Sequence, residues 1–309
     1  MDLFNRKGIK PMLIGEQRDI FDSPDFIYEI KFDGIRCIAY LDDAGTDLRN
    51  KRDKKLLPHV PELNKIHMQV KEKCILDGEL FIFKNGVTDY YEIQRRVLKT
   101  DPFKIKLAGN QYPASFVAYD LIYYKDKMMN ELELMDRKEI LDSLILENDR
   151  ISVSRYVEQN GIALYEIAKS KNLEGVVAKK KTGKYWFDKR TKEWIKCKVL
   201  ASDDCVICGY VQKEKNMTSL VLGQYRGDEL VYRGQVTLGV SLSDLLSHKP
   251  ERIDSPLFAY LPRGNEDAVW LRPDLVCIVE SMQTDKESFR QPVFRGIRDD
   301  KEPHECQIS

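Results

Sequence analysis

The sequence lacks an excess of either charge. Its 309 residues include 50 lysines and arginines against 50 aspartates and glutamates, a formal net charge of zero. A protein that coats nucleic acid through bulk charge is thereby excluded, whereas a local basic track is not. Long apolar runs are missing too, and none approaches the ~20 residues of a membrane-spanning helix. The opening residues, MDLFNRKGIKPML, contain no apolar core of the signal-peptide kind. These absences predict a protein of the cytoplasm with no membrane partner. Cysteines number seven, an odd count without a dense framework, which predicts reduced thiols. Cys205 and Cys208 form a CxxC. No second pair stands near it, and CVICGYV reads as a buried strand rather than a zinc knuckle. Internal repeats and low-complexity segments are absent. What remains is a globular composition, 42% hydrophobic and 32% charged, in a chain long enough for two domains.

The texture changes once along the chain. Residues 1 to 25 read as an irregular lead-in, because Pro11 and Pro24 break any helix. Strand patterns occupy 26–32, 35–41, 74–83 and 115–124. Helical spacing runs through 90–99, 133–147 and 161–172, with Leu134, Ile140, Leu141 and Leu144 forming the apolar side of the second. EGVVAKK and WIKCKVL are strands. Beyond residue 200, short strands with glycine-rich turns recur (CVICGYV, SLVLGQY, ELVYRGQV, LVCIVES), the pattern of a small β-barrel. The boundary is expected near Ala201–Asp203, giving domains 1–200 and 201–309.

Within FIYEIKFDGIRCIAYL, residues 26–41, alternation puts Phe26, Tyr28, Ile30 and Phe32 on one face and Glu29 and Lys31 on the other. Asp33-Gly34 is a tight-turn signal. A hairpin there pairs Lys31 with Arg36, and two cations side by side suit a phosphate between them; a solvated hairpin fits the spacing equally well. In WIKCKVL, Trp194, Lys196 and Lys198 share a face opposite Ile195, Cys197 and Val199, which again suits a multiply charged anion. Residues 179–198 hold nine lysines and arginines, two acids and four interleaved aromatics, a composition suited to a nucleotide or a nucleic-acid strand. Glu79 lies among apolar residues with Asp77 on its side of the strand, and Glu174 opens another strand. A carboxylate in either place suits a divalent metal or a ribose, although each taken singly is equally a strand-end charge in water.

Taken in order, these elements form a recognisable series. EIKFDGIR matches the ExKxDGxR lysine motif of the covalent nucleotidyltransferases. LRNKRD (48–53), LDGEL (76–80), FVAYDLIYY (116–124), EGVVAKK (174–180), WIKCK (194–198) and FRGIRDDKEPHEC (294–306) follow in that superfamily's order. A lone KxDG is weak evidence; the whole series is specific. The chain resembles an ATP-dependent DNA ligase, and within that family most resembles the ligase module of bacterial end-joining ligase D.

The resemblance implies an α+β fold, in which an adenylating nucleotidyltransferase domain of antiparallel sheets and flanking helices precedes an OB-fold β-barrel. It implies that Lys31 attacks the α-phosphate of ATP and carries AMP, its amine kept neutral by partial burial and a positive neighbourhood that Arg36 and a bound cation supply. Glu29, Ile30 and Arg36 flank the lysine in the nucleotide site. Glu79 contacts ribose or metal, and Glu174 binds metal, Mg²⁺ or Mn²⁺. Tyr119 stands where the family commonly has a phenylalanine stacked on adenine. Lys179, Lys196 and Lys198 contact phosphates. Arg298 and Lys301, in an RxDK element with Asp300, orient the pyrophosphate. The second motif departs from the usual SRNGxD: Arg49 aligns best, and Arg52 is the alternative. The implied partners are nicked or broken duplex DNA and a Ku-like end-binder, the implied state a monomer. Only 30 residues precede Lys31, leaving no room for the large N-terminal domain of replicative ligases, so a stand-alone enzyme or a module of a longer one is expected. A capping-type guanylyltransferase shares the lysine motif, and a nick-binding adaptor with a dead site is a third reading, which the intact Lys31, Glu79, Glu174 and Lys196 oppose.

Overall fold

Three sheets carry the fold of the computed structural model. It describes residues 3–308, apart from 85, 214–216, 238–241, 283, 285 and 299. The chain divides into two compact units, Met1–Val199 and Leu200–Ser309. In the first, the strands in chain order are β1 (Leu13–Gln17), β2 (Phe26–Ile30), β3 (Ile35–Asp42), β4 (Gly45–Asn50), β5 (Cys74–Lys84), β6 (Val87–Thr88), β7 (Ala114–Tyr124), β8 (Lys127–Met128), β9 (Ile151–Val153), β10 (Tyr156–Glu158), β11 (Gly175–Lys180) and β12 (Arg190–Lys198). The helices are α1 (Leu3–Arg6), α2 (Tyr90–Val97), α3 (Pro102–Gln111), α4 (Leu134–Leu144) and α5 (Gly161–Ser170). One sheet runs β1-β12-β11-β2-β10 and the other β4-β3-β5-β7-β8, with β6 and β9 attached to β5 and β7. Pairing is antiparallel except for β1–β12 and β7–β9.

Strict alternation places the two sheets face to face. Ile38, Tyr40 and Ile75 point from the second sheet into a core that Val177 and Trp194 enter from the first. The residues between them on each strand turn outward. Cys37, Ala39, Leu76 and Leu80 pack beneath α4 residues Leu141 and Leu144. Tyr28, Val176, Ala178, Ile195 and Cys197 pack with Leu164 and Ala168 of α5. Both faces are therefore covered along the central strands, which accounts for β2, β3 and β7 being buried and apolar on nearly every residue outside the functional positions.

The hairpin expected at Asp33-Gly34 does not form. β2 pairs with β10 and β11, whereas β3 pairs with β4 and β5. Residues 31–34 cross from one sheet to the other. Alternation tells which face a side chain takes; it does not tell which strand is the partner, and both β2 and β3 are interior strands with two partners each. Arg36 consequently lies opposite Glu79 rather than Lys31. Gly34 is needed for clearance: a Cβ there would stand 2.4 Å from the Leu80 carbonyl oxygen and 2.9 Å from Glu79 Cγ. Two further differences concern the lead-in and the segment after α2. The expected irregular lead-in contains α1 and β1, the latter recruited as a parallel edge strand by β12. The helix α3, capped by Asp101 through the Phe103 and Lys104 amides, carries no apolar periodicity that would announce it.

The second unit contains β13 (Ala201–Lys213), β14 (Met217–Arg226), β15 (Glu229–Thr237), α6 (Leu242–Ser247), β16 (Val269–Met282) and β17 (Arg290–Arg298). Its sheet order is β15-β14-β13-β16-β17, all antiparallel. The two edges approach each other: the Phe289 amide, just before β17, donates to the Arg233 carbonyl of β15 at 2.8 Å. Cys205 packs in the cluster with Leu220 and Leu271, whereas Cys208 packs on the other face with Val221 and Phe258. The CxxC therefore does not converge on one point.

Candidate active site

The inward faces of the two sheets do not meet everywhere. At the end where β2 crosses to β3 they enclose a cavity of about 450 Å³, within the usual range for a small-molecule site. Glu29, Ile30, Lys31, Arg36, Glu79, Tyr119 and Lys179 all line it, joined by Trp194. The same parity rule that builds the core puts them there. Arg36 is in step with Ile38 on β3, Glu79 with Ile75 on β5, and Lys179 with Val177 on β11.

Lys31 follows the last residue of β2, its amide held by the Gly175 carbonyl at 2.9 Å. Its Nζ donates to Glu174 Oε2 at 2.6 Å, and Lys198 Nζ lies 3.7 Å from Oε1 of the same carboxylate. Arg36 does not supply the positive neighbourhood expected for Lys31. Its Nε and Nη2 donate to the two oxygens of Asp77 at 2.9 and 2.5 Å, and Nη1 donates to the Met12 carbonyl at 2.6 Å. Asp77 is fully buried and also accepts from the Tyr185 hydroxyl at 2.7 Å, so the guanidinium charge is offset where it stands. Glu79 lies among these groups. Removal from water pushes its carboxyl up to about 8, although Lys31 and Arg36 pull the other way and Glu174 and Asp77 add to the rise.

Tyr119 and Trp194 meet edge to face, 5.7 Å between centroids and 86° between planes. Lys179 Nζ lies 4.7 Å from the Tyr119 centroid and 4.4 Å from that of Trp194. It donates to Glu29 Oε2 at 3.0 Å and to the Tyr119 carbonyl at 3.2 Å. Lys179 is buried beside these rings in the cavity lining. Burial, with Lys138 nearby, lowers its pKa to about 8 against the pull of Glu29.

The remaining sequence candidates fall outside the lining. Lys196 and Lys198 extend along β12 on the Trp194 side, both partly exposed. Arg49 is held by Asp47 at 3.0 Å and Asp53 at 3.0 Å, whereas Asn50, Lys51 and Arg52 line the cavity. In the second unit, Arg298 Nη1 donates to both oxygens of Asp204 at 2.9 and 3.0 Å, and Lys301 Nζ donates to Asp204 Oδ2 at 2.5 Å. Asp300 accepts from Arg298 at 3.0 and 2.8 Å, which lowers its carboxyl to about 2. Trp194 was within reach of the sequence, since it shares a face with Lys196 and Lys198. Lys138, buried beside Glu29, was not, because a lysine within an amphipathic helix reads as boundary.

The donor set fits a hard divalent cation. Glu79 is a carboxyl held above its ordinary range in the cavity lining, Glu174 lies outside the lining but touches the lining residue Lys31, and oxygen ligands of this kind suit Mg²⁺ or Mn²⁺. Both Glu174 oxygens already face lysine ammonium groups, so Glu79 is the better placed of the two.

Residues 11–198 match the family described as ATP dependent DNA ligase domain, and residues 213–301 match ATP dependent DNA ligase C terminal region. The chain belongs to the ATP-dependent DNA ligase family. It is 30% identical over 207 residues to the SPbeta prophage-derived DNA ligase-like protein LigB of Bacillus subtilis, covering 67% of this chain and 73% of that protein. It is 29% identical over 300 residues to the multifunctional non-homologous end joining protein LigD of Mycolicibacterium smegmatis, covering 92% of this chain and 37% of LigD. The chain thus spans little more than a third of that longer relative. A solved structure of mycobacterial DNA ligase D complexed with ATP and MES superposes over the whole of both chains with a TM-score of 0.58 at 23% identity. The fold is therefore that of a ligase: a nucleotidyltransferase domain followed by an OB-fold domain. Among the described residues, no helix is long and apolar enough to cross a membrane.

Proposed function

We propose that this ligase seals 3′-hydroxyl/5′-phosphate breaks in duplex DNA through a lysyl-AMP and then a DNA-adenylate. The observation that carries the reading is convergence: Glu29, Lys31, Arg36, Glu79, Tyr119, Lys179 and Trp194, far apart in sequence, line one cavity. In the first step Lys31 Nζ forms a bond to the α-phosphorus of ATP as the bond to the bridging oxygen breaks and pyrophosphate departs. The amine attacks only once it has shed a proton, and Glu174 Oε2, 2.6 Å away, is placed to receive it. The DNA 5′-phosphate next takes AMP from Lys31, and the 3′-hydroxyl displaces AMP to close the strand.

The remaining assignments follow from chemistry and position. Tyr119 and Trp194 offer aromatic surface to the purine. Glu29, an acceptor-only carboxylate, suits the exocyclic amine of adenine. Arg36, locked by Asp77 and the Met12 carbonyl, serves as a rigid wall of the nucleotide cavity. Arg52 takes the place first given to Arg49, whose guanidinium is engaged by two aspartates. Lys196 and Lys198 extend the cationic face of β12 towards phosphates, and Arg298 and Lys301 serve the departing pyrophosphate. Mg²⁺ or Mn²⁺ bound at Glu79, with Glu174, would screen phosphate charge. Residues 1–200 form the adenylating domain and 201–309 the OB-fold domain. The ligase works as a monomer in the bacterial cytoplasm in break repair, and a Ku-like end-binder is the partner that the end-joining relatives suggest. The test is sealing of a 5′-labelled nicked duplex. Joined product should require both ATP and a divalent cation; product formed equally with GTP, or no product with any nucleotide, contradicts the reading.

A further inference from the structure

Three ionisable side chains are buried together beneath the cavity, and the sequence motifs account for only two of them. Glu29 of β2 and Lys179 of β11 line the cavity floor. The third, Lys138, comes from α4 behind them. Its Nζ lies 2.5 Å from Glu29 Oε1, while Lys179 holds Oε2 at 3.0 Å. The side chains of Lys138, Glu29 and Lys179 are only 2, 2 and 3% exposed. Lys138 also reaches the Ser154 carbonyl at 3.4 Å. The neighbouring Arg137 and Asp120 neutralise each other, with Nε 2.6 Å from Oδ1, so the trio keeps one positive charge in excess.

Stability alone does not explain that arrangement. A buried ammonium is costly, and an apolar side chain of similar volume generally serves a core as well or better. α4 is already anchored by Leu134, Leu141 and Leu144. What Lys138 does provide is geometry. A carboxylate held at one oxygen rotates about its terminal bond. Hydrogen-bonded at Oε2 by Lys179 of a neighbouring strand and ion-paired at Oε1 with Lys138 of the helix, it is confined from two sides, while Oε1 makes no hydrogen bond among the described residues and keeps its acceptor capacity. Lys179 alone is a poor guide, because it also serves the Tyr119 carbonyl and its pKa is lowered to about 8.

We propose that Lys138 is a positioning residue for nucleotide selection: by pinning one oxygen of Glu29 from behind, it fixes that carboxylate as an acceptor for the 6-amino group of the purine. A 6-oxo purine would set acceptor against acceptor there. The inference rests on the reading of Glu29 as a base contact.

The experiment compares self-adenylation by ATP with nucleotidylation by ITP, which carries a 6-oxo group and no amine, in wild type, Lys138→Met, Lys138→Arg, Glu29→Gln and the Glu29→Gln/Lys138→Met double variant. Lys138→Met should raise the KM for ATP about tenfold and shrink the ATP-over-ITP preference by a similar factor, with kcat at saturating ATP changed less than about threefold. Lys138→Arg should restore most of the preference. In the Glu29→Gln background, Lys138→Met should change the preference less than about twofold, since its target is gone. A merely structural lysine would lower use of both nucleotides together and leave the preference intact, and that result overturns the proposal. Effects that multiply in the double variant overturn it as well. Should Lys138→Met fail to fold, the double variant, which removes both charges of the pair, decides against Glu29→Gln alone: equal preferences support the proposal and unequal ones overturn it. Failure of the underlying reading looks different, because Glu29→Gln would then leave the ATP-over-ITP preference unchanged.

Discussion

Glu79 carries a consequence that solution work can reach directly. Its folded pKa of about 8 stands above the ordinary 4.5. Between those values the folded state keeps a proton that the unfolded state has lost, so stability falls as pH rises through that window and levels off above it. Glu79→Gln should flatten this part of a melting-temperature profile; an unchanged slope would show that another group titrates there. At the residue scale much of the site was legible. Alternation put Glu79 and Asp77 on one face, and Trp194 with Lys196 and Lys198 on one face, and the fold keeps both sets. Their pairing was not legible. Asp77 neutralises Arg36, and Glu174 rather than Arg36 neighbours Lys31, because each pair joins neighbouring strands of one sheet and the sequence pattern does not tell which strands are neighbours.

The crossover between β2 and β3 is the element on which the site depends. A hairpin and a crossover share one sequence pattern, since strand period and turn residues are the same for both. The distinguishing feature is steric. Gly34 passes over β5 so closely that a methyl group would collide with the Leu80 carbonyl. Gly34→Ala should therefore cost about 1–3 kcal/mol, read as a lower denaturant midpoint; a variant as stable as wild type would mean that the crossover is not so confined. In the other unit, β13 offers Asp204 as the shared anchor of Arg298 and Lys301. If these cations serve the departing pyrophosphate, Arg298→Ala or Lys301→Ala should slow self-adenylation by on the order of a hundredfold. Either variant should still seal a nick whose 5′-phosphate is already adenylated, where no pyrophosphate leaves. Equal loss in the two reactions would remove the leaving-group role.

For the molecule as a whole, zero net charge leaves DNA binding to local tracks such as residues 179–198. The logarithm of affinity for nicked duplex should then fall with the logarithm of salt, by a slope of about −0.9 for each phosphate contacted. Titrations at several salt concentrations give the number of contacts, and a flat response would exclude phosphate-led binding. The two-part organisation was visible as a change of texture near residue 200, because the second unit is built of consecutive antiparallel strands whereas the first interleaves its strands with helices; the strands themselves, 9–14 residues long, are longer than the short ones expected. The lead-in strand β1 escaped notice for the opposite reason: an edge strand between prolines owes its form to its neighbour rather than to its own residues.

The central claim is that Lys31 carries the adenylate. Purified protein incubated with α-labelled ATP and a divalent cation, then denatured, digested and sequenced by mass spectrometry, tests it in one measurement. AMP should be found on Lys31 alone, released by pyrophosphate and absent from Lys31→Ala, a variant in which Glu174 still faces the Lys198 ammonium at 3.7 Å. AMP on another lysine, or none on the intact protein, would contradict the account.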